Sequence, residues 1–167
     1  MSEADQEFIR LLGRLQELYV SARLDLDHLS ANVDDTWRLH LAQQGDYLLA
    51  VAAGRLSFHD ALAQFFLLQL VANSKGLVRI LVDCTESQGE ITDPEREELG
   101  KKVAQYSGSL GGTTRLAIVG EPPVITGLAA AVARAYGLPC ETFRDRREAL
   151  KWLSDSSRNP PETPVFR

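Results

Sequence analysis

LVRILVDCTESQG, residues 77–89, is an apolar, β-branched run that stops abruptly at Asp83 and passes into hydroxyls and a glycine. Ile80, Leu81 and Val82 in succession suit a strand covered on both faces, and the polar stop suits a strand, Val78–Asp83, that delivers a loop to a sheet edge. Thr92-Asp93-Pro94 then reads as a helix start, with Asp93 as the cap and Pro94 at the first helical position, where its missing N–H costs nothing. From Pro94 to Leu110, Leu99, Val103, Tyr106 and Leu110 make one narrow apolar stripe, and Glu95, Arg96, Glu97, Glu98, Lys101 and Lys102 keep the opposite face wet.

Outward from that unit, the same alternation continues in both directions. Upstream, Trp37–Ala42, the turn Gln43-Gln44-Gly45-Asp46 and Tyr47–Ala53 predict an opening hairpin. Ser57, with Asp60 three residues on, marks the start of a helix over Phe58–Asn73. Downstream, Arg115–Val119 predicts a buried strand, Ile125–Tyr136 an Ala-rich helix, Cys140–Phe143 a short last strand and Arg146–Leu153 a closing helix. Strands separated by helices require crossovers, so the fold class is α/β: a mixed, mostly parallel sheet of about five strands with helices on its faces.

Ahead of this body, Phe8, Leu11, Leu12, Leu15, Leu18 and Tyr19 recur at helical spacing, which predicts an extra N-terminal amphipathic helix over residues 4–23. Asp25–Asp35 reads as an acidic, polar connector, so the chain divides into residues 1–36, a domain over 37–153, and a Ser- and Pro-rich flexible tail over 154–167. Residues 1–36 hold eight acidic side chains against three arginines, which accounts for the whole net charge of −5. An acidic arm on a neutral body lacks the basic stripe that nucleic-acid binding needs.

The chain has 167 residues, 44% of them hydrophobic, enough for one core without metal or disulfides. With two cysteines, Cys84 and Cys140, and charges interrupting the N-terminal segment, the expectation is reduced thiols and a cytoplasmic protein. No stretch approaches the ~20 uninterrupted apolar residues of a membrane span, so stable membrane insertion is not expected.

The helix over Phe58–Asn73 is greasy all round. Leu62, Phe65, Phe66, Leu67, Leu68, Leu70 and Val71 cover nearly its whole circumference, with Gln64 and Gln69 as the only polar breaks. Exposing two or three such side chains would cost about 1.5–3 kcal/mol each. Something therefore shields the outward side: the N-terminal helix, a second subunit, or an apolar ligand held in a pocket. Phe65, Phe66, Leu67 and Leu70, with Leu12 and Leu15 of the N-terminal helix, are the candidates for that interface or pocket.

LLAVAAGRLSFHDALAQFFLL at Leu48–Leu68, ILVDC at Ile80–Cys84, the Gly-Gly before RLAIVG at Arg115–Gly120, and ETFRDRREALKWL at Glu141–Leu153 resemble the STAS or SpoIIAA-like domains. The chain is similar in particular to an uncharacterised bacterial branch related to CRAL-TRIO lipid-binding domains. The resemblance covers about residues 37–153 and implies a non-enzymatic regulatory domain like the anti-sigma factor antagonists. In these a Ser or Thr at the start of the helix after the central strand is phosphorylated to switch partner binding.

The matching position is near Thr92, where the chain has Ile91-Thr92-Asp93-Pro94 in place of the family's Asp-Ser-Ser-Gly. Thr92 is thus either a switch or a plain capping residue, and Thr85 and Ser87 are further candidates. A helix start tolerates a phosphate because its N–H groups are unpaired, while the added charge repels an acidic partner. The implied partner is another protein or a second copy of the chain, with an apolar, lipid-like ligand as the alternative.

Catalytic chemistry finds little support. Cys84 would need a base nearby, and His28, His40 and His59 have neither triad nor metal-ligand spacing. Ser107–Gly112 is glycine-rich but precedes a strand, and the Gly120-Glu121-Pro122-Pro123 loop offers two prolines and a carboxylate where a phosphate would need N–H donors. No catalytic residue, metal or cofactor is expected.

Overall fold

The computed structural model describes residues 2–27, 29–32, 36–112 and 114–155. The elements run α1 (Glu3–Leu24), β1 (Leu29–Asn32), β2 (Trp37–Gln44), β3 (Tyr47–Arg55), α2 (Phe58–Ser74), β4 (Arg79–Gln88), α3 (Asp93–Ser109), β5 (Arg115–Val119), α4 (Leu128–Ala135), β6 (Cys140–Phe143) and α5 (Arg146–Ser154). The strands lie side by side in chain order. β1, β2 and β3 pair antiparallel, and β3 through β6 pair parallel.

A sheet in sequential order, crossed each time in the same hand, collects its crossover helices on one face. Strand alternation then sorts the core into two. Leu48, Ala50, Ala52, Ile80, Val82, Leu116 and Ile118 point to the side of α1, α2, α3 and α4. Leu49, Leu81, Ala117 and Val119 point the other way, to Ala149 and Leu153 of α5. α1 adds Leu11, Leu15, Leu18 and Ala22 to the larger core, beside Trp37, Leu39 and Leu41 of β2. α3 and α4 meet so closely at Gly100 that a Cβ there would strike the Ala129 carbonyl oxygen.

Four expectations need correction. The acidic connector is not all connector: Leu29–Asn32 is an edge strand, in register with Leu41–Arg38, which makes the sheet six-stranded. Its strand character comes from the pairing partner rather than from its own short sequence. The central strand does not stop at Asp83. The nine-residue β3 offers a ladder as far as Arg55, and β4 follows it to Gln88 across a register shift between Val51 and Ala53.

Thr92, not Asp93, caps α3. The Ala-rich helix is also shorter than predicted, because Gly127 at its start is left-handed, with φ of 87°. His28 and the tail beyond residue 155 lie outside the described residues.

Candidate functional site

α2 and α3 both start at the edge where the parallel strands end, and each start is closed by a capping box. Ser57 Oγ accepts the Asp60 N–H at 3.2 Å, and the Asp60 carboxylate accepts the Ser57 N–H at 3.0 Å. Thr92 Oγ1 accepts the Glu95 N–H at 3.3 Å, and Glu95 Oε1 accepts the Thr92 N–H at 2.9 Å and its hydroxyl at 3.0 Å. The Thr92 N–H, then its hydroxyl, hold the Glu95 carboxyl below the usual range, helped by His59 and Arg96 nearby. Carboxylates therefore already occupy both positive helix ends.

The three candidate hydroxyls are not brought together. Thr92 is exposed at the helix start. Ser87 is buried, and its hydroxyl donates to the Ala52 carbonyl oxygen at 3.0 Å. Thr85 is exposed but turns its N–H and hydroxyl onto Asp83 Oδ1, at 2.9 and 2.7 Å. Asp83 Oδ2 takes Arg146 Nε from α5 at 2.6 Å. Burial alone would raise the Asp83 carboxyl, but the Thr85 N–H, the Arg146 guanidinium and the Thr85 hydroxyl outweigh it and hold it below its ordinary value. The Asp83 cluster thus joins β4 to α5.

The apolar candidates divide differently. Leu12, Leu15, Phe66, Leu67 and Leu70 line one groove of about 260 Å³, with α2 as its floor and α1 and α3 on either side. Leu15 and Leu67 are buried within its walls, Phe66 and Leu70 are half-buried, and Leu12 stands 45% exposed at the rim. The α3 side is closed by Tyr106, whose ring lies 4.5 Å from that of Phe66. Burial and the neighbouring Tyr19 push the Tyr106 phenol above its ordinary value. Phe65 faces the other way, into the space between α2, α3 and α4. Tyr19 and Tyr106 were not singled out for this groove, since only tertiary packing brings two distant helices alongside α2.

The polar breaks of α2 are also unlike their sequence reading: Gln64 and Gln69 are both buried. Gln69 Nε2 donates to the Val103 carbonyl oxygen at 3.2 Å and so ties α2 to α3. Cys84 and Cys140 are buried free thiols, and burial pushes each up to about 12, which leaves neither as a nucleophile. Among the described residues no cluster of His, Cys, Asp and Glu has the makings of a metal site, and no described helix is long and apolar enough to cross a membrane.

The family profile described as SpoIIAA-like matches residues 48–154. Among solved structures, an anti-sigma factor antagonist from Mycobacterium paratuberculosis superimposes with a TM-score of 0.52 at 15% identity, over 76% of this chain and 100% of that one. An uncharacterized protein of the DUF3478 family with a SpoIIAA-like fold, from Shewanella loihica PV-4, gives 0.44 at 25% identity, over 75% of this chain and 94% of that one. No curated protein matches.

Proposed function

The chain belongs to the SpoIIAA-like family, and from that premise we propose that it is a non-enzymatic regulatory domain that binds another protein in the groove between α1 and α3. The observation that carries this reading is the continuity of apolar surface across three helices. A single exposed leucine means little, whereas Leu12 at the rim, Phe66 and Leu70 on the floor and Tyr106 on the far wall form one patch. Such a trough, floored by one helix and walled by two others, suits a partner helix with an apolar stripe. The likeness to a fold named for acting on a sigma-factor regulator is consistent with a protein partner. Thr92 is the hydroxyl at which a phosphate would regulate this domain, since it would displace Glu95 from the cap.

The test is affinity capture with the full chain as bait, beside the double variant Ile9→Glu, Leu12→Glu, with light scattering on both. Both positions are exposed, at 55% and 45%, so each change should cost under about 0.5 kcal/mol in stability. The expected result is a protein partner, or a self-associated species, lost in the double variant while its fold is kept. A partner retained equally by both proteins would overturn the reading.

A further inference from the structure

Six large apolar side chains stand exposed among the described residues, and four of them are on α1: Ile9, Leu12 and Val20, each about half exposed, and Leu24 at 83%. Single apolar residues on a surface mean little, but these fall in one line. Counted from Gln16 they lie at −7, −4, +4 and +8. At about 100° per residue, all four sit with Gln16 inside an arc of about 120°. Leu11, Leu15, Leu18 and Ala22, which pack into the core, occupy nearly the opposite side of the helix. The resulting ridge shares Leu12 and Gln16 with the edge of the groove and carries Ile9, Val20 and Leu24 away from it.

Two properties of the ridge say what covers it. The first is symmetry. The ridge reads nearly the same from either end, which is what a contact between identical helices about a two-fold axis requires. In an antiparallel pair centred on Gln16, Leu12 meets Val20 of the second copy, Ile9 meets Leu24, and Gln16 meets Gln16. A glutamine amide both donates and accepts, so it can pair with its own copy across the axis. One polar residue in an apolar seam also fixes the register.

The second property is charge. Asp5 and Arg23 are eighteen residues apart, about five full turns, so they mark the two ends of the ridge on the same side of the helix. Antiparallel pairing brings Asp5 within reach of Arg23 of the second copy at both ends. Parallel pairing would set like charge on like and place the two helix dipoles side by side in the same sense.

From this we infer that the ridge is a self-association surface: α1 of one copy packs antiparallel on α1 of a second, about a two-fold axis at Gln16. A lipid surface fits it less well, because an interfacial helix is held by a basic polar face and residues 1–36 carry a net charge of −5. One helix face buries less than the ~800 Å² per partner of a standard interface, so the dimer exchanges with monomer.

The inference is independent of a partner in the groove, and its test keeps the two apart. Sedimentation velocity of the full chain from about 5 to 500 µM should show a monomer–dimer equilibrium with a midpoint on the order of 10–100 µM. Val20→Glu with Leu24→Glu, both outside the groove lining, should raise that midpoint about tenfold or more and leave capture of a groove partner unchanged. If that variant does not fold, Val20→Ser with Leu24→Ser takes its place. Ile9→Cys and Leu24→Cys, made singly, report orientation, since the native thiols are buried. Mixed and oxidised, the two proteins should join by a disulfide between positions 9 and 24 in preference to one between two copies of position 9. A chain that stays monomeric to about 500 µM, a dimer indifferent to the paired substitutions, or a preference for the disulfide between two copies of position 9 would overturn the inference.

Discussion

Asp83 stays ionised inside the sheet because Thr85 and Arg146 supply more than burial takes away. Its carboxyl titrates lower in the folded chain than in the unfolded one, and this fixes the sign of its pH dependence. The stabilisation is fully present above the unfolded value of about 3.9 and is lost as pH falls through the lower folded value. Asp83→Asn keeps the shape but weakens the link to the half-exposed Arg146, so it should cost about 1–2 kcal/mol at neutral pH. Urea unfolding across a pH series should show the gap between wild type and variant narrowing below that range. A gap that is constant with pH would show that the pair contributes no charge-dependent stability. Little of this was legible in the sequence. The Asp-Cys-Thr-Glu-Ser run reads as a polar loop, and only the ladder with β3 shows it to be a strand, with Cys84 in the larger core and Thr85 and Glu86 exposed.

At the scale of elements, α2 is where sequence and structure agree best. Its circumference of apolar residues predicts neighbours on every side, and the structure supplies the sheet, α1 and α3. α1 was equally plain from its spacing, but the stripe did not say which side is buried: the structure buries Leu11, Leu15 and Leu18 and leaves Leu12 at the surface. The sequence grouped Leu12 with Leu15, yet the two point differently, and this predicts a clean contrast. Leu15→Ala should cost about 2–4 kcal/mol by opening a gap against α2, whereas Leu12→Ala should stay within about 0.5 kcal/mol. Thermal unfolding of the two variants checks it, and equal losses would mean that α1 is rotated from the arrangement described. β1 escaped the sequence reading because a four-residue edge strand in an acidic segment has no periodicity to detect. The burial of Gln64 and Gln69 escaped it because polar residue type argues for the surface unless the packing around it is known.

For the molecule as a whole, the succession of strands and helices along the chain, β1 apart, could be read from hydrophobic alternation, whereas which helices share a face of the sheet could not. Nor could what a partner would meet, since the groove is assembled by three helices separated in the chain by strands. The account stands on that groove as a surface for a protein. The most direct measurement places a photo-crosslinking amino acid at Leu12, and at Arg147 on α5 as the control on the other side of the sheet, in the full chain expressed in its native cell. The account predicts a discrete protein adduct from position 12, or a crosslinked dimer of the chain, and none from position 147. No adduct at position 12, or the same adducts from both positions, would contradict it.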